Sequence, residues 1–357
     1  MVNSKKLRKV ELTLPNPEWP SLYEEAVQEI QTILQDNLSS IHHIGSTAIP
    51  NIYAKPIVDV LPVVKDLNLV DALNPAFIAL GYQCMGEYGI PGRRFYWKSK
   101  EKRTHNVHLF AEGSAQIERH LAFKQFMQEH PDDAQAYSII KCCLAEVFPY
   151  DIDNYVHGKS SFVQRIDYQT GNAQEQQLKA IDEVSIQPYN PAWLLLAEAE
   201  IKAIKELTKH LSYLAIEHIG STAVTELSSK AVLDLFIVIP SIARAQDWIK
   251  PLASLAYVFW DENPDKEHLR FFKGMPPFGD KRTHHVHLVA AGDETMAQRL
   301  LFRDILRADD TIRRAYEDLK KSLAQLYPLD REAYTESKTD FIKQALTACG
   351  YSKEIKR

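Results

Sequence analysis

The sequence predicts two tandem α/β (α+β) domains, each with a mixed β-sheet, a crossover helix and a C-terminal helical tail. Three observations predict this fold class. The chain has 357 residues, about twice the length of an ordinary domain. One long segment occurs twice, and both copies alternate short apolar runs with helical patterns. We expect one domain over residues 1–168 and a second over residues 183–357.

Composition narrows the classes of function. The formal net charge is −5, whereas proteins with a general affinity for nucleic acid usually carry a strongly basic domain. No apolar run approaches the roughly 20 residues that cross a bilayer, and no apolar segment follows the basic N-terminus. The 4 cysteines form no CxxC pair and no zinc spacing, which indicates reduced thiols. We therefore expect a cytoplasmic protein that binds no membrane and shows no general binding of nucleic acid.

A duplication organises the chain. IHHIGSTAIPNIYAKPIVDVL at residues 41–61 and IEHIGSTAVTELSSKAVLDLF at residues 216–236 share a Gly-Ser-Thr turn between apolar runs. Other matched pairs are Asn-Pro-x-Trp at residues 16–19 and 190–193, and Thr-His-x-Val-His-Leu at residues 104–109 and 283–288. Solenoid repeats run about 20–50 residues, so this longer period predicts a duplicated domain. We call the two repeats the first copy and the second copy.

The strands follow from short apolar runs that are bounded by glycine, proline and polar residues. In the first copy they are predicted over residues 10–14, 40–44, 56–64, 82–85, 94–98 and 106–110. The run at 56–64 is almost continuously apolar, as expected for a strand that is covered on both faces. The second copy is expected to open with a strand at residues 184–187 and to repeat the order.

The helices follow from apolar residues spaced three and four apart. In the first copy they are predicted over residues 19–35, 66–80, 114–129 and 132–147. Gly81 should end the second of these, and the His130-Pro131 pair should separate the last two. Asp151 is expected to cap one final helix, after which a polar, glutamine-rich linker occupies residues 167–183.

The Gly-Ser turns and the acids that follow them form the first candidate site. The residues are Gly45, Ser46, Thr47 and Asp59 in the first copy, and Gly220, Ser221, Thr222 and Asp234 in the second. Glycine lets backbone N–H groups approach a bulky anion, and the hydroxyls and a helix start add donors. The acid lies in the next strand, so turn and carboxylate should meet at one end of the sheet. The alternative is that glycine only closes a turn and the acid forms a structural ion pair.

An acid beside an anion-binding turn predicts the kind of ligand. A triphosphate in the turn would meet a divalent cation on the carboxylate, and Mg²⁺ or Mn²⁺ favours such oxygen ligands. We therefore expect a small-molecule nucleotide or phosphate ligand, with a nucleoside triphosphate and a divalent cation as the candidate cofactors.

The same stretch resembles the GrpB-like family, which belongs to the nucleotidyltransferase fold superfamily. The likeness covers nearly the whole chain and includes the Asn-Pro-x-Trp segment, the His-x-His-Leu strand, the Phe-Arg-Asp helix and the Tyr-x-x-x-Lys-x-x-Phe tail. The resemblance implies a nucleotidyltransferase-like fold in each copy. It also implies that the Gly-Ser turns hold nucleotide phosphates and that Asp59 and Asp234 are metal ligands.

The acid strand departs from the active pattern of that superfamily. Active members usually carry Asp-x-Asp or Asp-x-Glu there, whereas residues 59–61 read Asp-Val-Leu and residues 234–236 read Asp-Leu-Phe. A two-metal site needs enough carboxylates to bridge cations about 3.5–4 Å apart. Either another ligand replaces the second acid, or these domains bind without catalysing transfer.

Histidines of a later strand are the candidates to replace that acid. His108 and His287 are equivalent, and the residue two positions before each points to the same face. That residue is Asn106 in the first copy and His285 in the second, so only the second copy has a His-x-His pair. The predicted catalytic residues are Asp59, Asp234, His108 and His287. The predicted metal ligands are these four residues and His285. Imidazole suits zinc, nickel or copper better than magnesium, and the alternative is a core histidine.

Basic residues complete the predicted site. Lys55 and Lys230 precede the acid strand, and Arg94 and Arg270 are flanked by aromatic residues; all four are candidate phosphate contacts or structural ion-pair partners. The tail helices carry Lys141, Lys159, Lys320 and Lys338, each four residues after a tyrosine, and these lysines would line the cleft if the helices fold over the end of the sheet. For Lys141 and Lys320 the favoured interpretation is a solvated helical face.

These observations support three functions. The leading hypothesis is a nucleotide- or phosphate-binding protein that is compatible with metal-dependent nucleotidyl transfer to an unknown acceptor. The second is a non-catalytic binding or regulatory module that kept the fold and lost the second acid. The third is a scaffold for protein interactions, which predicts a large exposed apolar patch.

Overall fold

The computed structural model describes residues 9–99, 102–173 and 183–353. The chain divides into two compact units. Unit one comprises Met1–Ala145, Pro149–Ile152 and Ile166–Ala173, and unit two comprises Glu146–Phe148, Asp153–Arg165 and Gln174–Arg357. The predicted boundaries, 1–168 and 183–357, follow the sequence repeat rather than this packing. Most of the predicted linker, residues 174–182, lies outside the described residues.

Both copies show the predicted alternation of strands and helices. In the first copy the elements are α1 (Trp19–Leu34), β1 (Leu38–Ile44), β2 (Val58–Val64), α2 (Asn68–Asp71), α3 (Asn74–Ala79), β3 (Tyr82–Cys84), β4 (Arg93–Ser99), β5 (Arg103–Ala111), α4 (Ala115–Glu129), α5 (Pro131–Val147), α6 (Ile152–Gly158) and α7 (Ser160–Gln169). In the second copy they are α8 (Ala192–Leu207), β6 (Ala215–Ile219), β7 (Leu233–Ile239), α9 (Ile249–Ser254), β8 (Val258–Phe259), β9 (His268–Lys273), β10 (His284–Ala290), α10 (Glu294–Ala308), α11 (Asp310–Leu326), α12 (Arg331–Glu336) and α13 (Thr339–Ala348).

Each copy builds one five-stranded mixed sheet, and the two sheets have the same topology. The strand orders are β1-β2-β5-β4-β3 and β6-β7-β10-β9-β8. The central pairs, β2 with β5 and β7 with β10, are parallel, and the other neighbouring strands are antiparallel. The predicted mixed α/β architecture with a C-terminal helical tail is therefore confirmed in both copies.

The central strand β2 is covered on both faces, as its apolar run predicts. Helix α1 contributes to a core with Trp19, Ile30 and Val60, and helix α4 contributes Ile117 to a core on the other face. Asp59 is the one residue of β2 that is not buried. An acid inside so apolar a strand is costly unless it reaches water or polar partners, so its position marks a candidate site.

Two predicted strands are reduced to single bridges. Residues 10–14 pair only through Thr13 with Ala54, and residues 184–187 pair only through Gln187 with Ser229. Proline follows each segment, at positions 15 and 188. Because proline cannot donate to a ladder, it ends the pairing after one bridge.

Two predicted helices are interrupted. The helix predicted over residues 66–80 is split into α2 and α3, and Pro75 lies in the first turn of α3. Proline disfavours helical backbone in the residue before it, so the helix restarts there. The single final helix of the first copy is likewise split, into α6 and α7, after Gly158. Among the described residues, no helix combines the length and apolar composition that crossing a bilayer would require.

Candidate functional site

The Gly-Ser turn and the acid are adjacent in both copies. Strand β1 runs antiparallel to β2, and Ile44 lies opposite Asp59, so Gly45 comes directly beside the carboxylate. The φ of Gly45 is 70°, and a Cβ there would lie 2.4 Å from Asp59 Oδ2. Gly220 repeats this with a φ of 74° and a distance of 2.8 Å to Asp234 Oδ2. Only glycine fits both the backbone conformation and the close approach.

The two carboxylates are accessible to a ligand. The side chain of Asp59 is 24% exposed and that of Asp234 is 30% exposed, although the rest of each strand is buried. The glycine and serine of each turn are also partly exposed. Turn and acid therefore lie side by side in both copies, and both are partly exposed.

In the first copy, Asp59 is held by two hydrogen-bond donors. Asn106 Nδ2 donates to Oδ1 at 2.8 Å, and His108 Nε2 lies 3.4 Å from the same oxygen. Arg93 Nη1 donates to His108 Nδ1 at 3.4 Å. Because a guanidinium only donates, Nδ1 is the acceptor, and a neutral His108 must carry its hydrogen on Nε2, toward Asp59. Burial opposes ionisation of Asp59, but hydrogen bonds from His108 and Asn106 prevail and lower its pKa.

In the second copy, His285 occupies the position of Asn106 beside the acid. His285 Nδ1 lies 3.4 Å from Asp234 Oδ1. His287 is 1% exposed, and its Nε2 accepts a hydrogen bond from Arg299 Nη1 at 3.3 Å. Its hydrogen is therefore on Nδ1, which donates to His268 Nε2 at 2.9 Å. Burial, followed by the charges of neighbouring groups, holds the pKa of His287 well below its ordinary value, so this imidazole is neutral.

An arginine and a histidine exchange places between the two copies. Arg93 on β4 lies opposite Phe110, and His268 on β9 lies opposite the equivalent residue, Val289. On the helix that follows, His120 lies 12 residues after His108, and Arg299 lies 12 residues after His287. In each copy, therefore, one guanidinium contacts the histidine of the strand. In the first copy Arg93 of strand β4 contacts His108, and in the second copy Arg299 of helix α10 contacts His287. The sequence analysis missed all four residues. An alignment of α4 with α10 would have shown that His120 corresponds to Arg299.

The predicted equivalence of Arg94 and Arg270 is wrong by one residue. Arg94 lies opposite Leu109, whereas Arg270 lies opposite His287. Arg94 consequently faces away from Asp59 and forms an ion pair with Asp71 at 2.6 Å. Arg270 faces the site, with its guanidinium 5.7 Å from the ring centroid of Trp260. The structure therefore brings only Arg270 to its predicted place.

The lysines of helix α5 and helix α11 are buried, and the interpretation of a solvated face is wrong. Lys141 and Lys320 are each 2% exposed. Lys141 Nζ donates to Ser46 Oγ at 3.0 Å and also to the carbonyl oxygen of Tyr53. Lys320 Nζ donates to the carbonyl oxygen of Ser228 at 2.5 Å. Their ammonium nitrogens lie 4.7 and 5.0 Å from the ring centroids of Tyr137 and Tyr316, and such cation–π contacts help to stabilise a buried charge.

Further lysines gather in the second copy. The ammonium groups of Lys230 and Lys338 lie 4.9 and 4.1 Å from the ring centroid of Tyr334. Burial and then the like charges of Lys230 and Lys320 lower the pKa of Lys338 to about 7, against the attraction of Asp234. Burial also lowers the pKa of Lys320 to about 7. Positive charge is therefore concentrated beside the acid of the second copy.

Other predicted residues hold the turn rather than open toward a ligand. The hydroxyls of Thr47 and Thr222 are buried and lie 3.0 Å from His43 Nε2 and His218 Nε2. The helix start after each glycine is a three-residue 3-10 turn, Ser46–Ala48 in the first copy, which is too short for a substantial helix dipole. Lys55 precedes β2 and is partly buried. The threonines therefore stabilise the turn.

Comparison with known proteins agrees with the duplication. The family model of the GrpB protein matches residues 9–169 and again residues 183–348. The UPF0157 protein YqkA of Bacillus subtilis (strain 168) is 40% identical over 157 residues, 44% of this chain and 46% of that protein. A UPF0157 protein of Pseudomonas aeruginosa is 42% identical over 165 residues, 46% of this chain and 67% of that protein. This chain thus spans less than half the length of YqkA.

Two further similarities concern a solved structure and a protein with a named activity. The crystal structure of conserved protein GrpB from Enterococcus faecalis is 39% identical, covers 45% of this chain and 96% of that chain, and has a TM-score of 0.44. A dephospho-CoA kinase of Mycobacterium leprae is 27% identical over 183 residues, 44% of this chain and 44% of that protein. Because the family model matches most of the sequence in two consecutive segments, the chain belongs to the GrpB family and carries two tandem copies of its domain.

Proposed function

We propose that each copy binds a phosphate-bearing small molecule, specifically a nucleotide, at its Gly-Ser turn. The observation that carries this proposal is the buried ammonium group of Lys141 at the hydroxyl of Ser46, 3.0 Å away. Placing a charged lysine in the protein interior is costly, and its position beside a hydroxyl and a glycine suits an anion. Ser46 and Gly45 remain partly exposed, so a phosphate oxygen has access to the turn.

The second copy supports the same ligand through its excess of positive charge. Positive charges repel one another among Lys230, Lys320 and Lys338. The negative charge of Asp234 opposes this repulsion at Lys338. A phosphate group would relieve this repulsion with its own negative charges. The Mycobacterium leprae relative named dephospho-CoA kinase is consistent with a nucleotide among the phosphate-bearing candidates.

Binding without transfer is better supported than nucleotidyl transfer. The residue that lies beside each acid on the parallel strand is Asn106 or His285, not a second carboxylate. In the first copy both partners donate hydrogen bonds to Asp59, so no lone pair of theirs faces a cation there. These residues do not fit a pair of Mg²⁺ or Mn²⁺ ions, which require several oxygen ligands. Titrations of the full chain with adenosine triphosphate, with and without magnesium, separate binding alone from nucleotidyl transfer, because only transfer requires the metal ion.

Substitution of the buried lysines should remove the sites one at a time. With adenosine triphosphate as the probe, calorimetry on the full chain should show two sites per molecule. Lys141→Met should weaken the first site and Lys320→Met the second, each by roughly 10- to 100-fold, as expected for a hydrogen bond to a charged group. Lys321→Met is the matched control on helix α11, because Lys321 is 51% exposed. Unchanged affinity in both buried-lysine variants, with their folding verified by circular dichroism, would contradict the proposal.

Ligand binding to the second copy should take up protons. In the free protein, Lys320 and Lys338 have pKa values of about 7, so both are partly neutral at pH 7.5. A bound phosphate favours the charged ammonium and raises both pKa values, so affinity should fall as pH rises above 7. Calorimetry in buffers of different ionisation enthalpy measures the uptake. It should disappear in the Lys320→Met/Lys338→Met variant, and binding without any proton uptake in the unsubstituted chain would refute the coupling.

A further inference from the structure

We propose that the second copy, and not the first, binds one borderline transition-metal ion of the Zn²⁺ class through Asp234, His285 and His287. One donor atom of each of these residues lies within 4.8 Å of the donor atoms of the other two. This inference does not depend on the nucleotide proposal, because it concerns a cation and a different set of side chains.

The donor set decides the class of ion. Two imidazoles and one carboxylate suit zinc and its neighbours, whereas magnesium favours oxygen ligands alone. Tetrahedral zinc with ligands at about 2.0–2.2 Å places its donors roughly 3.3–3.6 Å apart. The donors here lie up to 4.8 Å apart, so binding requires them to move together by about an ångström. Three protein ligands would leave a fourth position for water or a ligand atom.

His287 has the orientation that a metal ligand requires. Its Nδ1–H donates to His268 Nε2 at 2.9 Å, which leaves the lone pair of Nε2 available. A neighbouring acceptor for the distal N–H is the usual support of a metal-bound imidazole. Arg299 Nη1 contacts that lone pair at 3.3 Å, so the ion must compete with this guanidinium.

His285 is held on one side only. Its Nδ1 lies 3.4 Å from Asp234, but Nε2 is buried and has no hydrogen-bond partner among the described residues. A buried imidazole nitrogen without a partner is energetically unfavourable. Because no protein group anchors Nε2, the ring can turn a lone pair toward an ion next to Asp234.

Among the described residues, the first copy offers no comparable set of three donors. Asn106 stands where the second copy has His285, and its amide donates to Asp59. The hydrogen bond from Arg93 fixes the hydrogen of His108 on Nε2, which faces the acid. An N–H that points at the carboxylate excludes a cation from the space between them. The first copy therefore serves as an internal control within the same molecule.

Metal counting on the full chain tests this inference. After incubation with zinc and gel filtration, inductively coupled plasma mass spectrometry should find one ion per chain. Asp234→Asn and His285→Asn should lose the ion, whereas Asp59→Asn should keep it. Co²⁺ in place of zinc should give the visible absorption of a tetrahedral site in the unsubstituted chain and in Asp59→Asn only.

The competing guanidinium gives a second readout. Arg299→Gln should bind Zn²⁺ more tightly than the unsubstituted chain, by about tenfold or more, because a competing cation is removed. Absence of bound zinc in the unsubstituted chain would overturn the inference. So would loss of the ion in Asp59→Asn, retention of the ion in His285→Asn, or weaker binding in Arg299→Gln.

Discussion

Replacing Glu200 by alanine is expected to lower the free energy of unfolding of unit two by about 3–5 kcal/mol. Glu200 Oε1 lies 2.5 Å from Lys273 Nζ, and the two side chains are 8% and 4% exposed. Burial opposes ionisation of Glu200, but the charge of Lys273 prevails and lowers its pKa. Alanine would leave Lys273 charged and buried without this carboxylate, which is the costly way to break a buried ion pair.

The pH dependence of this variant has a definite sign. Burial already lowers the pKa of Lys273 in the folded protein, and removing Glu200 lowers it further. The unfolded state then binds more protons than the folded state below the ordinary lysine pKa of about 10.4, so stability falls as pH falls. Urea denaturation should show a larger deficit at pH 6 than at pH 9. An equal deficit at both values would show that Lys273 stays protonated in the folded variant, and it would contradict this pH dependence.

The first copy provides the matched control for this substitution. Lys98 is equivalent to Lys273 and pairs at 2.5 Å with Glu29, which lies about one helical turn beyond the position of Glu200, but these side chains are 22% and 27% exposed. Partial access to water reduces the cost of leaving Lys98 alone, so Glu29→Ala should destabilise unit one by about 1 kcal/mol. Hydrogen exchange measured by mass spectrometry assigns each loss to its unit. A larger loss in unit one than in unit two would contradict the burial argument.

Replacing Gly45 by alanine is expected to lower the free energy of unfolding by about 2–4 kcal/mol and to displace Asp59. A φ of 70° is unfavourable for alanine, and the new Cβ would lie 2.4 Å from Asp59 Oδ2. The carboxylate must move, and its hydrogen bonds from Asn106 and His108 must lengthen. The nucleotide affinity of the first copy should therefore also fall in Gly45→Ala.

Gly81→Ala separates the two contributions. Gly81 has a φ of 87°, but a Cβ there would meet no atom within 4 Å. Its replacement should therefore carry only the backbone penalty of about 1–2 kcal/mol and leave binding unchanged. Equal losses of stability and unchanged binding in Gly45→Ala and Gly81→Ala would mean that the contact with Asp59 contributes nothing.

The sequence predicted the parts of the site that depend on local pattern. The apolar run around Asp59 predicted that this acid lies on a strand. The glycine that follows the preceding apolar run predicted the position of the turn. The alternation of side chains along a strand correctly placed Asn106 with His108 and His285 with His287. These relations extend over a few residues, and both copies show them.

Relations that arise from tertiary packing escaped the sequence. The exchanged residues are Arg93 and His120 in the first copy and His268 and Arg299 in the second. Each pair has one member on a strand and one on a helix, and the two members are far apart in sequence. The shared Arg-Phe dipeptide misaligned Arg94 with Arg270, because Phe95, not Arg94, lies opposite His108 as Arg270 lies opposite His287. A periodic pattern could not show that Lys141 reaches Ser46, since that contact spans 95 residues.

A crystal structure of the full chain with a non-hydrolysable nucleoside triphosphate would locate the bound phosphates. We expect a phosphate oxygen within hydrogen-bond distance, about 3 Å, of Ser46 Oγ or Lys141 Nζ, and a second nucleotide at Ser221 with Lys338 beside it. A nucleotide bound elsewhere on either copy, with both Gly-Ser turns in contact with water alone, would contradict this expectation.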